Sequence, residues 1–115
     1  MSIERSALRE LMSLIGDDIE SLNELIQSYI DEAPELLADL NAGLVDINLL
    51  GRAAHTLKSS AADFGANTLS GLCATLEQQC KQQSVDNAED QVKQILTELD
   101  ISVSSLQQVL TNGIG

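Results

Sequence analysis

Apolar residues recur every three or four positions along most of the chain, and no stretch alternates with the period of two that a half-buried strand requires. This spacing predicts an all-α protein. Aromatic residues make up only 2% of the 115 residues and tryptophan is absent. The core therefore has to be built from Leu, Ile, Val and Ala, which is typical of a helix bundle.

Five helical segments follow from this spacing and from the helix start and stop signals, at about residues 3–14, 17–43, 47–63, 67–83 and 86–111. The last four are long and are joined by short connections, which return a chain beside its predecessor in the opposite direction. We therefore expect an antiparallel up-down-up-down four-helix bundle with a short extra N-terminal helix, forming one domain over residues 1–115. Residues 111–115 should fray.

Three aspartates mark the predicted starts of long helices. Asp17 and Asp86 each precede a glutamate by three residues, close to a capping box, and Asp46 is a candidate N-cap of the third helix. Pro34 falls inside the second helix, where it removes one backbone hydrogen bond. Because the apolar stripe continues on both sides of Pro34, we expect a bend and not a break.

The charge of the chain argues against several classes of partner. A net charge of -12 disfavours binding to nucleic acid or to anionic membranes, both of which need an excess of Lys and Arg. No apolar run reaches the ~20 residues needed to span a bilayer, and the N-terminal sequence lacks the layout of a signal peptide. A soluble cytoplasmic protein without direct membrane insertion is the expectation.

Two cysteines, Cys73 and Cys80, lie on one face of the predicted fourth helix. A separation of seven residues places them roughly 10 Å apart, too far for a disulfide within the helix. We interpret them as small core residues in a reducing compartment. With one histidine and no CxxC pair, no metal site is predicted.

The only histidine, His55, is predicted to lie on the polar side of the third helix. On a helical wheel, the opposite side carries the apolar residues Leu50, Ala53, Leu57, Ala61 and Phe64. The side of the histidine carries Asn48, Gly51, Arg52, Lys58, Ser59 and Ala62. Gly51, Ser59 and Ala62 leave the imidazole unobstructed, and Gly51 has no obvious packing reason to be in a helix. This surface looks suited to the approach of another molecule.

Positive charge is concentrated around this imidazole. Between Arg9 and Lys81 the only basic residues are Arg52 and Lys58, three positions before and after His55. A neutral imidazole nitrogen is a good nucleophile near neutral pH, and a phosphoryl group attached to it carries about two negative charges, which nearby cations stabilise. The arrangement therefore suits a phosphoryl acceptor.

The second ring nitrogen needs a partner that fixes the tautomer. If the chain turns back near Gly65 and Ala66, His55 should lie beside residues about ten to twelve positions after the turn. Glu77 is the polar residue there, and we expect it to accept a hydrogen bond from the ring. The alternative is that Glu77 is an ordinary solvated carboxylate.

The segments "AHTLKSSAADFGA" and "LSGLCATLE" together resemble the signature of histidine-containing phosphotransfer (HPt) domains, and "YIDEAPELLADL" resembles the long helix that precedes it. The resemblance implies that His55 is phosphorylated, that Lys58 lies beside the phosphoryl group and that Glu77 lies near the ring. Ser59 departs from the family pattern, which usually has glycine there. Small and polar residues around the histidine (Gly51, Arg52, Ser59 and Ala62) are the candidate partner-binding surface.

The family implies a phosphoryl carrier that shuttles between receiver domains of response regulators or of a hybrid sensor histidine kinase. The chain itself has no GxxxxGK[ST] loop, so we expect neither ATP binding nor autokinase activity, and no cofactor of its own. Mg²⁺ is expected only in the partner receiver domain. The bundle is expected to be a monomer.

Three other interpretations remain open from the sequence. The histidine domain of a chemotaxis-type kinase shares the His-x-x-Lys pattern. A dimerisation and phosphoacceptor module of a sensor kinase is disfavoured, because the sole proline, Pro34, precedes the histidine whereas such modules have one after it. In a non-catalytic helical interaction module, His55 would be incidental.

Overall fold

The computed structural model describes residues 3–114, which form five α-helices and contain no strand. The helices are α1 (Arg5–Leu14), α2 (Ile19–Ala42), α3 (Ile47–Asp63), α4 (Asn67–Lys81) and α5 (Ala88–Asn112), with a 3₁₀ turn at Gly43–Val45. The all-α prediction is confirmed, and the α3 bounds agree with the sequence. None of these helices has the length and apolar character needed to cross a membrane.

The four long helices pack in a closed ring. α2 contacts α3 and α5, and α4 contacts the same two helices, while α3 and α4 share the most extensive interface. The bundle measures 42 × 21 × 21 Å. This arrangement fits the expected antiparallel order, with α1 packed against α2 and α3.

The predicted caps are right in one case and wrong in two. Asp46 accepts from the backbone N–H groups of the first turn of α3, as expected. In α2 the cap is Asp18, whose side chain accepts from two backbone N–H groups. Asp17 cannot do this because it lies in a left-handed turn, with a φ of 59°. In α5 the helix begins after Asn87, not at Asp86, and it has no side-chain cap.

The remaining differences lie at helix ends. α1 begins at Arg5, later than predicted, because Glu4 has an extended backbone with a ψ of 114°. The N–H of Glu4 bonds to the carbonyl of Gly65 at 2.8 Å. α4 ends at Lys81 and not at residue 83, since Gln83 adopts a left-handed conformation. At the C-terminal end, the helix extends one residue beyond its predicted bound. α5 continues to Asn112, and Ile114 packs against the core, although residue 115 lies outside the described residues.

Pro34 lies inside α2, which is continuous from Ile19 to Ala42, so the helix does not break there. The apolar core is aliphatic apart from two cysteines and the aromatic residues Tyr29 and Phe64, whose ring centroids are 5.1 Å apart. Cys73 and Cys80 are buried and free, as the sequence predicted. Burial raises the pKa of the Cys73 thiol to about 12, so it stays protonated and serves as a packing residue.

Candidate functional site

His55 projects outward from the middle of α3. Its side chain is 62% exposed, while the residues predicted for the opposite face of the helix are all buried (Leu50, Ala53, Leu57, Ala61 and Phe64). The orientation predicted from the helical wheel is therefore confirmed. The imidazole is therefore accessible from solvent, while the opposite face of α3 is packed in the core and holds the helix in place.

Glu77 on α4 is the hydrogen-bond partner of this ring. Its Oε2 lies 2.6 Å from Nδ1 of His55, and the residue is only 7% exposed. The contact depends on a tight turn between α3 and α4, where Gly65 has a φ of +76° and a Cβ would lie 2.6 Å from the carbonyl oxygen of Glu4. The turn thus sets the register that brings Glu77 opposite His55.

The Glu77 carboxylate is held in its ionised form. Its pKa is lowered mainly by the hydrogen bond from Lys58, with a further contribution from His55, against the opposing effect of burial. An ionised carboxylate can only accept hydrogen bonds, so Nδ1 of His55 carries a hydrogen and donates a hydrogen bond to Glu77. The other ring nitrogen, Nε2, then has the free lone pair of a nucleophile.

Lys58 also binds Glu77. Its Nζ lies 2.5 Å from Oε1, the carboxylate oxygen that the histidine does not use. One turn of α3 separates Lys58 from His55, so a single carboxylate on α4 accepts from two side chains of the neighbouring helix. A further bond from the Ser70 hydroxyl to the carbonyl of Lys58, at 3.1 Å, ties the same two helices together. In this structure, the ammonium of Lys58 is therefore directed to Glu77.

The site contains a third cation that the sequence analysis did not single out. Lys81 lies four residues after Glu77 on α4, and its Nζ is 3.8 Å from Oε2. The Glu-x-x-x-Lys spacing is a sequence signal for such a contact. This spacing alone does not connect Lys81 with His55, because Lys81 lies near the end of α4, far in sequence from the histidine.

Gly51 does have a packing reason, contrary to the expectation from the sequence. A Cβ at this position would lie 3.2 Å from the Cβ of Cys80, so the glycine lets α3 approach α4 closely. Beside this contact is an open groove of about 480 Å³, with Arg52, His55 and Lys81 among its lining residues. The groove gives access to the imidazole from the side of α4.

The other predicted surface residues lie where the sequence placed them. Arg52, Ser59 and Ala62 are exposed on α3. Arg52 also borders a second groove, between α2 and α3, whose lining residues include Glu32, Glu35 and Asp39. The cationic surface around His55 is therefore bordered on the α2 side by carboxylates. Among residues 3–114 no cluster of three or more His, Cys, Asp or Glu side chains is suited to hold a metal ion.

Two solved structures resemble this fold. Histidine-containing phosphotransfer protein B (HptB) from Pseudomonas aeruginosa PAO1 superposes with a TM-score of 0.85 at 23% identity, over 96% of this chain and 95% of HptB. The HPT domain of a sensor hybrid histidine kinase from Shewanella superposes with a TM-score of 0.76 at 22% identity, over 90% of this chain and 92% of that domain. At these identities the likeness establishes the fold.

Sequence comparison identifies the family. Sensor protein TorS of Escherichia coli (strain K12) is 36% identical over 80 residues, which is 68% of this chain but 8% of TorS. The chain thus corresponds to a small part of that protein. A family model of the Hpt domain matches residues 24–108, a range that includes His55, Lys58 and Glu77. The chain therefore belongs to the Hpt domain family.

Proposed function

We propose that His55 accepts a phosphoryl group from the aspartate of a receiver domain and passes it to another receiver domain. Members of this family are phosphorelay intermediates, and one observation supports giving that role to this side chain. The imidazole is exposed, yet its Nδ1 is held 2.6 Å from a buried carboxylate. This leaves Nε2 as the nucleophile facing solvent.

In the transfer step, the lone pair of Nε2 attacks the phosphorus of the aspartyl phosphate. The N–P bond forms as the P–O bond to the aspartate breaks, and the aspartate leaves as a carboxylate with the bonding electrons. The ring gains positive charge as Nε2 forms its third bond, and the ionised Glu77 at Nδ1–H stabilises that charge. The reverse sequence, with another aspartate as the nucleophile, delivers the group to the next receiver.

Lys58 is proposed to neutralise the phosphoryl group. It sits one helical turn from His55, and its ammonium already lies 2.5 Å from Glu77 beside the ring. Three donors on one ammonium allow it to serve the carboxylate and an incoming phosphoryl oxygen in turn. We assign the Mg²⁺ of the reaction to the partner receiver domain and expect no cofactor in this chain.

Docking is proposed to use the surface of α3 around His55. Gly51, Ser59 and Ala62 present little side-chain bulk there, which allows close approach of a partner. Arg52 is exposed beside the histidine and offers positive charge to an acidic receiver pocket, in a chain whose net charge is -12.

We further propose that residues 1–115 act as one monomeric carrier domain without autokinase activity. The chain has no GxxxxGK[ST] loop. The two buried free thiols, Cys73 and Cys80, fit a reducing compartment such as the cytoplasm.

The test is phosphoryl uptake from receiver domains charged with ³²P-acetyl phosphate and Mg²⁺ and then freed of the donor. Wild type should acquire a label that is labile in acid and stable in base, as a phosphohistidine is. His55→Gln should acquire none, while its circular dichroism stays helical. A matched control moves the sole histidine to the exposed surface of α5 in the double variant His55→Gln/Gln94→His, which should also stay unlabelled. Label on either variant contradicts the assignment.

A further inference from the structure

We propose that Lys81 is a positioning residue of this site. It replaces Lys58 as the ion-pair partner of Glu77 when Lys58 turns to the phosphoryl group. The inference rests on the proposed function of His55. It starts from the fact that both oxygens of Glu77 are occupied in the unphosphorylated protein, Oε2 by His55 and Oε1 by Lys58.

Phosphorylation introduces a competitor for Lys58. A phosphoryl group carries about 1.5 to 2 negative charges near pH 7 and three acceptor oxygens, whereas Glu77 carries one charge. The phosphoryl group is attached to the ring that is hydrogen-bonded to Glu77, so it lies close to both Glu77 and Lys58. Lys58, with its side chain 32% exposed, then turns from Glu77 to the more strongly charged phosphoryl oxygens.

Glu77 cannot be left without a cation at low cost. Its side chain is only 9% exposed, and a buried carboxylate that loses its ion-pair partner is strongly destabilising. It would also lie close to the new negative charge. Release of Lys58 therefore requires compensation of Glu77 by another positive group.

Lys81 is placed to supply that compensation. Among residues 3–114 it is the other lysine within 4 Å of the carboxylate, with Nζ 3.8 Å from Oε2. That separation is longer than a hydrogen bond by about 1 Å, and the side chain is 67% exposed, so a small movement would bring the ammonium to hydrogen-bond distance. Lys81 also lines the groove beside His55, so its side chain borders the space from which the imidazole is reached.

The experiment reads the contact between cations and the phosphoryl group directly. Phosphoramidate serves as the donor, because it carries no docking surface: Nε2 attacks phosphorus and ammonia leaves with a proton and the electrons of the P–N bond. The ³¹P chemical shift of the phosphohistidine is then titrated with pH. A cation on the phosphoryl oxygens favours the dianion and lowers the titration midpoint.

Lys81→Gln should raise this midpoint by roughly 0.3 to 0.7 pH units, a two- to fivefold change typical of a partly exposed ion pair. Lys81→Arg should restore the wild-type value. Lys93→Gln on α5 removes the same charge away from the site and should have no effect. In a Lys58→Gln background, Lys81→Gln should add nothing further, because the proposed effect passes through Lys58.

A midpoint in Lys81→Gln equal to that of Lys93→Gln overturns the inference. An equal rise with and without Lys58 also overturns it, since it would show a general effect of charge. These results leave the proposed function intact if wild type is phosphorylated on His55. Failure of wild type to form a phosphohistidine overturns both.

Discussion

Two polar contacts between helices of this bundle are both built from side-chain hydrogen bonds but have different roles. Between α2 and α5, the Tyr29 hydroxyl lies 2.8 Å from Ser102 Oγ, and Ser102 Oγ donates to the carbonyl of Leu99 at 2.7 Å. The one proton of the serine is thus used, so Tyr29 is the donor in their shared bond. Between α3 and α4, His55 and Lys58 donate to Glu77.

The two contacts differ in whether a polar group remains accessible to another molecule. Tyr29 and Ser102 are 3% and 0% exposed, and burial raises the pKa of Tyr29, which keeps the pair neutral. Neither residue can reach a partner, so we interpret the pair as a structural contact. The His55 cluster is charged and keeps one ring nitrogen open to solvent. A polar contact becomes a site when one of its groups remains available.

The largest expected effect on stability belongs to the closed contact. Ser102→Ala leaves the buried Tyr29 hydroxyl without its acceptor and should lower the free energy of unfolding by about 1–3 kcal/mol. Urea denaturation measures this, with the exposed Ser104→Ala on the same helix as the control. Phosphoryl uptake by the folded variant should match wild type. A large loss of phosphoryl uptake in a fully helical Ser102→Ala variant would contradict the interpretation of the Tyr29–Ser102 contact as purely structural.

Glu77→Gln should act mainly on function. The amide can still accept from the ring, but it no longer provides the charge that stabilises the forming imidazolium, so phosphoryl uptake should slow by about tenfold. The free energy of unfolding should fall by about 1 kcal/mol or less, since Gln removes the buried charge and the partner left behind, Lys58, has a side chain that is 32% exposed and can be solvated. Rapid-quench labelling measures the rate, and Glu24→Gln on the exposed face of α2 controls for net charge. Equal rates for the two variants would remove Glu77 from the mechanism.

The smallest effect is the pH dependence of the ion pair. The pKa of Glu77 is lowered in the folded protein below its usual 4.5, so its contribution to stability is fully present above about pH 4.5 and is lost as pH falls through the folded pKa. The stability difference between wild type and Glu77→Gln should therefore narrow as the pH falls below about 4.5. Comparison of the two proteins cancels the other carboxylates. A constant difference over that range would show that the ion pair does not contribute.

The sequence predicted most of what depends on one helix at a time. The periodicity of α3 placed His55 outward, and Asp46 was identified as a cap from residue type alone. The contact between His55 and Glu77 followed from counting residues outward on both sides of the turn at Gly65. Residue types could not distinguish Asp17 from Asp18, since either can cap and only the backbone conformation excludes Asp17.

Most of the other features that the sequence did not predict depend on pairs of helices. The close approach at Gly51 involves Cys80 on α4, which no pattern within α3 reveals. The same holds for Lys81, whose place in the site became visible only once Glu77 was fixed against His55. The Tyr29–Ser102 bond joins residues 73 positions apart, and a lone serine on the apolar stripe of α5 gave no sign of its partner.

The central claim is that the Glu77 contact at Nδ1 dedicates Nε2 of His55 to phosphoryl transfer. With one histidine in the chain, a long-range ¹H–¹⁵N spectrum of ¹⁵N-histidine-labelled protein reports a single imidazole. After phosphorylation by a receiver domain, the spectrum should show phosphorus coupled to Nε2 and a proton on Nδ1. Phosphorus coupled to Nδ1, or an imidazole unchanged while the protein carries label, would contradict the account.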